Sequence, residues 1–150
     1  MSQSLSNILV HIIFSTKERR PFILPEISET LYNYIAAIAR SFESHVHEIG
    51  GIEDHLHLLL TLPRTIPLSK LVEEIKKNSS KWIKTKGSFY SDFSWQNGYG
   101  AFSIGQSNFE AVQKYIQNQK EHHKKVSFQD EYRNFLKNYK ISYDEKYVWG

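Results

Sequence analysis

Leucine occupies every second position from residue 56 to residue 62, with histidine at 55 and 57, and no other feature constrains the fold as strongly. Successive side chains of a β-strand point to opposite faces of a sheet, so His55 and His57 would project together. Four leucines would point the other way: Leu56, Leu58, Leu60 and Leu62. The pattern predicts a strand that buries a leucine row in the core and presents two imidazoles on its opposite face.

Apolar periodicity predicts the remaining elements. Alternation at residues 8–14 predicts a buried first strand, although His11 interrupts it. Apolar residues spaced three and four apart predict amphipathic helices after Pro25 and after Pro67, and two further helices near the end of the chain. Capping signals mark the starts of those last two helices: Ser107 with Glu110, and Ser127 with Asp130.

The order of these elements predicts an α+β fold. A short strand at 45–49 is expected to turn at Gly50-Gly51 into the strand at 53–62, and a hairpin or an irregular strand is expected within the aromatic segment 89–104. This order suits a ferredoxin-like (split β-α-β, RRM-like) antiparallel sheet with helices on one face, plus a C-terminal helix that bears Tyr115. Such a sheet is expected to leave its other face free for a ligand.

Length and composition exclude several classes of protein. A chain of 150 residues, 40% of them hydrophobic, is predicted to form a single domain over residues 1–150. Cysteine is absent, which excludes disulfides and thiol nucleophiles and fits a cytoplasmic location. No apolar stretch approaches the ~18 residues of a membrane span, and the chain does not begin with a signal peptide.

The paired histidines allow two interpretations. Imidazoles at 55 and 57 could share one cation, but an isolated H-x-H spacing is more often a pair on a solvated face. A second pair, His45 and His47, would lie on the leucine face if Gly50-Gly51 formed the turn, and is interpreted as structural. Tyr115 and Gln119 are four residues apart and therefore neighbours on one helix face.

Taken together, five segments resemble the single-tyrosine HUH transposases of small bacterial insertion sequences and REP-associated elements. They read DHLHLL at 54–59, NSSKW at 78–82, WQNGYGAFS at 95–103, YIQNQKEHH at 115–123 and YDEKYVW at 143–149. The segments occur in the family's order and span nearly the whole chain. The resemblance implies a transposase that cleaves single-stranded DNA and transfers strands at hairpin-bearing element ends, through a 5′-phosphotyrosine intermediate.

The resemblance also implies specific roles. His55 and His57 would be the metal-binding pair, Gln119 the third protein ligand and Tyr115 the nucleophile. The divalent ion would be Mg²⁺ or Mn²⁺. Family members are similar in working as homodimers, in which the tyrosine helix of one chain completes the metal pair of the other.

Basic and aromatic side chains are candidate DNA contacts. The net charge of +3 is modest, so the cationic candidates could equally be ordinary surface groups: Lys17, Arg19, Arg20, Lys77, Lys81 and Lys120. Trp95, Tyr99 and Phe102 could stack on unpaired bases, but core packing is expected for at least two of them.

Other functions have specific sequence requirements. An HUH-type nicking nuclease, or a domesticated protein that only binds single-stranded DNA hairpins, would share the two-histidine site. A non-catalytic RNA-binding module needs exposed aromatics in a basic-Gly-aromatic pattern, which the strands lack. A histidine-triad hydrolase needs a third alternate histidine, where this chain has Leu59. No phosphate-binding glycine loop is present, so no nucleotide cofactor is expected.

Overall fold

Four antiparallel strands form one sheet in the computed structural model, which describes residues 2–150. The strands are β1 (Leu9–Ser15), β2 (Val46–Ile52), β3 (His55–Thr61) and β4 (Gly100–Ile104). The helices are α1 (Pro25–Ser41), α2 (Leu68–Lys84), α3 (Phe109–Gln117), α4 (Gln119–His122) and α5 (Phe128–Asn138). The strand order β2-β3-β1-β4, with helices α1 and α2 as the two connections, is the predicted ferredoxin-like arrangement.

Helices α1 and α2 cover the leucine face of the sheet. Leu56, Leu58 and Leu60 are fully buried there. They belong to one core cluster with the apolar stripes of both helices, which include Leu31 and Ile35 of α1 and Leu71 and Ile75 of α2. The predicted leucine row is therefore confirmed as the centre of the main core.

The opposite face of the sheet is also covered, which differs from the expectation of a free face. Helix α3 packs against β2 and β3. Helix α5 contributes Phe128, Tyr132 and Leu136 to a second apolar cluster with Ile13 and Phe102 of the sheet. His55 and His57 consequently have no solvent exposure. The imidazole pair lies in a buried layer between the sheet and the C-terminal helices.

The predicted turn at Gly50-Gly51 is wrong, because both glycines lie inside β2. Gly50 stands opposite His57 and Gly51 opposite Leu56, and the chain turns instead at Glu53 and Asp54. A Cβ atom on Gly50 would lie 2.3 Å from the carbonyl oxygen of Ile116 in α3. Glycine is needed here because another chain segment approaches the strand closely.

The register of β2 also changes the position of His47. An irregularity between Val46 and Glu48 shifts the pairing, and the Nε2 atom of His47 lies 2.7 Å from the Oγ1 atom of Thr61. Thr61 points to the same face of β3 as His57, so the prediction that His47 lies on the leucine face is wrong. Neither His45 nor His47 belongs to the metal-capable group found within residues 2–150.

One of the two predicted helix caps is present. The Oγ atom of Ser127 accepts a hydrogen bond of 3.1 Å from the backbone N–H of Asp130, as predicted. Ser107 instead lies within a short 3-10 turn, and α3 begins after it without a side-chain cap. Ser107 is therefore not at the position from which a side chain could cap α3.

Within residues 2–150, no helix combines the length and the apolar character needed to cross a membrane.

We expect Gly50→Ala to destabilise the protein because its methyl group would overlap the backbone of α3. The free energy of unfolding in urea should fall by about 1–3 kcal/mol, the usual cost of overpacking. The matched control is Gly105→Ala, where φ is −75° and the nearest of the surrounding atoms is 3.9 Å away. Equal stabilities for the two variants would contradict the assigned packing of α3 on β2.

Candidate active site

Three imidazoles and one carboxylate converge beneath α3. The ligand-capable atoms of His55, His57, His123 and Glu131 all lie within 4.8 Å of one another. The Oε1 atom of Glu131 lies 2.9 Å from Nε2 of His57, 3.2 Å from Nε2 of His123 and 3.4 Å from Nε2 of His55. Strand β3 supplies the first two side chains, the segment after α4 supplies His123, and α5 supplies Glu131.

A second hydrogen bond orients each imidazole. The Nδ1 atom of His55 donates to Asp54 Oδ1 at 2.7 Å, and that of His123 donates to the carbonyl oxygen of Val126 at 2.6 Å. Nδ1 of His57 lies 2.8 Å from Nε2 of His11, a buried residue of β1. All three Nε2 atoms are thereby directed at the carboxylate of Glu131.

Glu131 is held as a carboxylate by its neighbours. Burial favours the neutral acid, but hydrogen bonds from His123, His55 and His57 hold the pKa of Glu131 well below its usual value. Burial likewise opposes the charged form of His55, but hydrogen bonds to Asp54 and Glu131 raise its pKa to about 9. The pair formed by His55 and Glu131 is therefore ionised at neutral pH.

Two further histidines of the sheet, His11 and His57, are neutral at pH 7. Burial, with repulsion from protonated His57 as a smaller cause, lowers the pKa of His11 to about 3. Burial also lowers the pKa of His57 to about 4, although its hydrogen bond to Glu131 opposes this change. Since a carboxylate can only accept, His57 donates through Nε2 and accepts at Nδ1 from His11.

Tyr115 and Gln119 reach the same site from the helical layer. The hydroxyl group of Tyr115 donates to Oε2 of Glu131 and lies 3.2 Å from Nε2 of His122. The Oε1 atom of Gln119 lies 3.1 Å from Nε2 of His55 and 2.9 Å from Nε2 of His123. The four residues singled out from the sequence, His55, His57, Tyr115 and Gln119, thus meet within a single chain.

The Tyr115 hydroxyl is a neutral phenol in this arrangement. Burial and the negative charge of Glu131 raise the pKa of Tyr115 well above its usual value, since both disfavour a phenolate. Two proton acceptors already lie beside its oxygen, the carboxylate of Glu131 and the ring nitrogen of His122. The phenol is therefore protonated at neutral pH and has acceptors for its proton within hydrogen-bond distance.

An open cavity of about 450 Å³ leads from solvent to Tyr115. Lys114, Glu121, His122 and Lys125 lie along it. Two lysines and one glutamate therefore line the approach to Tyr115. This cavity is a route by which an anionic ligand can reach the phenol.

The predicted DNA contacts are spread over the molecule. Lys77 and Lys81 lie on α2, which packs on the far face of the sheet from Tyr115, and Lys77 pairs with Glu74 at 2.9 Å. Lys120 lines a separate cavity beside Gly51. Lys17, Arg19 and Arg20 follow β1, where the Arg19 guanidinium lies 5.8 Å from the Trp149 ring. The structure does not gather these six residues at Tyr115.

Core packing accounts for two of the three aromatic candidates, as predicted. Trp95 is buried and donates from Nε1 to the Oγ atom of Ser79 at 3.0 Å. Phe102 is buried in the second apolar cluster. Tyr99 is half-buried and lines an open cavity beside α2.

Sequence reasoning missed three members of the site: His11, His123 and Glu131. For His123 the sequence did carry a signal, because this residue lies four positions after Gln119 and eight after Tyr115. Glu131 carries no such signal, because an acidic residue in the first turn of a helix is common for electrostatic reasons alone.

Residues 4–119 match a family described as IS200-like transposases. The chain belongs to this family. Among curated relatives, it is 23% identical over 114 residues to the ISDra2 transposase TnpA of Deinococcus radiodurans, covering 73% of this chain and 81% of the relative. These findings confirm the resemblance to single-tyrosine transposases, a family of DNA-processing enzymes. The matched residues include His55, His57, Tyr115 and Gln119, whereas His123 and Glu131 lie beyond them.

Two solved structures share the fold. One, described as a transposase from Deinococcus radiodurans, superposes with a TM-score of 0.62 at 20% identity and covers 79% of this chain and 98% of that one. The other is a REP-associated tyrosine transposase bound to a REP hairpin, with a TM-score of 0.62 at 20% identity, covering 84% of this chain and 76% of that one. The α+β class predicted from the sequence is confirmed.

We expect the metal-free protein to lose stability on acidification below pH 6.5. Unfolded histidines bind protons there, whereas native His11 and His57 resist protonation until the pH approaches about 3 and about 4. The stabilisation is complete above pH 6.5 and is lost as the pH falls through these lower values. His11→Gln should reduce the slope of unfolding free energy against pH, between about pH 4.5 and 5.5, by about 1.4 kcal/mol per unit.

Urea denaturation in EDTA at several pH values measures this slope. His45→Gln, at an exposed position outside the cluster, is the matched control. Identical slopes for the wild type and His11→Gln would show that native His11 takes up its proton as readily as an unfolded histidine.

Proposed function

We propose that this transposase cleaves and rejoins single-stranded DNA at hairpin-bearing element ends, with Tyr115 as the nucleophile. One observation carries the proposal. The hydroxyl of Tyr115, the amide of Gln119 and the imidazoles of His55 and His57 surround one buried carboxylate within a single chain. An attacking oxygen is thus placed beside a group of metal-capable side chains, which is the combination that phosphodiester cleavage requires.

The side chains present fit a divalent cation. Imidazole nitrogens and carboxylate or amide oxygens converge from several elements, and each imidazole is oriented by a hydrogen bond at its other nitrogen. His55 and His57 would hold the ion, with the oxygen of Gln119 beside them. When bound, magnesium or manganese would polarise the scissile phosphate and offset its negative charge.

Tyr115 performs the covalent step in this proposal. Its hydroxyl oxygen forms a bond to phosphorus while the bond from phosphorus to the 3′ oxygen breaks, which leaves a 5′-phosphotyrosine and a free 3′ hydroxyl. The proton of Tyr115 passes to one of the two acceptors it contacts, Glu131 or His122, and the leaving 3′ oxygen takes up a proton from solvent. The ester retains the free energy of the original bond, so a second 3′ hydroxyl can attack it without ATP.

The helical layer bears on the functions that the strand pattern left open. Helices α3 and α5 cover the face that an RNA-recognition sheet would need to expose. This cover counts against a module that binds RNA across its sheet. It favours a ligand that enters from the side, through the cavity lined by Lys114 and Lys125.

The family resemblance implies a homodimer in which the tyrosine helix of one chain completes the metal pair of the other. The proposal keeps the homodimer but departs from that exchange, and places each site within a single chain. Tyr115 and His57 already meet within one chain, with ring centres 5.7 Å apart. A mixture of His57→Ala and Tyr115→Phe chains tests this arrangement. We expect no covalent adduct from the mixture, whereas an adduct formed only by the mixture would establish sites shared between subunits.

Tyr115→Phe should abolish covalent attachment to DNA while retaining hairpin binding, because only the attacking oxygen is removed. The test incubates the protein with labelled single-stranded hairpin DNA and Mn²⁺, then resolves adducts under denaturing conditions. Tyr147→Phe, a matched change at a side chain that is 68% exposed, should leave the adduct yield unchanged. Persistent adduct in Tyr115→Phe would remove Tyr115 from the mechanism.

His55→Ala and His57→Ala should also abolish the adduct, because the ion loses a ligand in each. Adding a second strand with a free 3′ hydroxyl to the wild-type adduct should produce a rejoined strand. Adduct formation without rejoining would assign the chain to the nicking nucleases, and hairpin binding with no adduct would indicate a protein that only binds.

Hairpin affinity should fall steeply with salt if lysines at the cavity entrance bind phosphates. Lys125→Gln should weaken binding and reduce the slope of log K against log salt by about 1 for the lost contact. The matched control is Lys70→Gln on α2, whose side chain pairs with Glu73 and Glu74 on the far face of the sheet. Fluorescence anisotropy measures both, and equal slopes would exclude Lys125 from the interface.

A further inference from the structure

His123 shares the features that make His55 a metal-ligand candidate. Its Nδ1 atom is held by a backbone carbonyl oxygen at 2.6 Å, and its Nε2 atom points to the same carboxylate oxygen as Nε2 of His55 and His57. Metal-binding histidines commonly donate their second ring N–H to a carboxylate or a carbonyl, which sets the ring orientation. The His123 side chain is only 3% exposed, so water does not explain this orientation.

Glu131 presents its two oxygens to different partners. Oε1 lies 2.9 to 3.4 Å from the three Nε2 atoms. Ligand atoms around a zinc-like ion, with bonds of about 2.0–2.1 Å, are about 3.3–3.4 Å apart. The distances from Oε1 to Nε2 of His123 and of His55, 3.2 and 3.4 Å, match this spacing, whereas the 2.9 Å to His57 is shorter. Oε2 instead accepts hydrogen bonds from the hydroxyl of Tyr115 and from Nε2 of Gln119.

Resting on the proposed function, we infer that His123 and Glu131 are additional metal ligands, so that three imidazoles and one carboxylate hold the ion. Gln119 then also orients the site, because its amide contacts His55, His123 and Glu131. Glu131 links the ion to the nucleophile, with one oxygen on the metal side and the other on the Tyr115 hydroxyl.

This ligand set changes which ion the protein holds. Imidazole nitrogen favours first-row transition metals, whereas magnesium prefers oxygen ligands and retains several waters. The charged carboxylate also attracts a cation electrostatically, which a set of two neutral imidazoles and one amide does not. The protein should therefore bind a zinc-like ion in the absence of DNA, and magnesium should compete poorly for the site.

Co²⁺ is the probe for this inference, because its visible absorption reports the ligand set directly. The full-length wild type, without DNA, should bind one Co²⁺ per chain and resist displacement by excess Mg²⁺. Glu131→Gln and His123→Ala should each weaken the Kd at least about tenfold and alter the absorption bands. The matched control for lost charge is Glu121→Gln, whose exposed side chain pairs with Lys124 and should leave the Kd unchanged.

Circular dichroism in EDTA verifies that each variant is folded, and the two substitutions lie on separate elements, so each tests the ligand set independently. Wild-type Co²⁺ affinity and unaltered bands in both variants, with binding lost in His57→Ala, would overturn the inference. A wild type that binds no Co²⁺ without DNA would overturn it as well.

The adduct assay separates this inference from the proposed function. Unchanged Co²⁺ affinity in both Glu131→Gln and His123→Ala, together with a Tyr115 adduct in the wild type, would reject the added ligands and leave strand cleavage standing. Co²⁺ binding that depends on both residues, in a wild type that forms no adduct, would support the ligands and reject the proposed reaction.

Discussion

The functional half of the molecule depends on the hydrogen bonds that the buried carboxylate of Glu131 accepts. A buried ion costs several kcal/mol unless it is paired and hydrogen-bonded. Here the carboxylate accepts hydrogen bonds from the imidazoles of His57 and His123 and from the phenol of Tyr115. These partners come from β3, the segment after α4, and α3, so one side chain of α5 holds together the sheet and the whole helical layer.

Close packing of the helical layer explains how buried polar groups remain ordered. Gly50 allows the backbone of α3 to approach β2, and this brings Tyr115 to the level of the imidazoles. Asp54, at the turn before β3, fixes the ring of His55 from the other side. Each group in the site is therefore held by at least two elements, which suits a reaction that needs an attacking oxygen in a set position.

The parts of the site that could be predicted are those with local periodicity. His55 and His57 share a face because strand geometry requires it, and Tyr115 and Gln119 share a face because helix geometry does. The failures lie where distant contacts override local signals. Gly50-Gly51 has the composition of a turn, but the approach of Ile116 from a remote helix requires glycine inside a strand. The register irregularity in β2, which the sequence pattern does not signal, changed the position of His47 as well.

By itself, the sequence determined the leucine core, the pairing of two imidazoles on the other face and the membership of a transposase family, because these follow from spacing and from motif order. Only the tertiary structure decided that His11, His123 and Glu131 join them, and that the tyrosine meets the histidines within one chain. Glu131 is 74 residues from His57 along the chain. No periodicity extends over such a distance, so only the packing of α5 against the sheet could bring the two together.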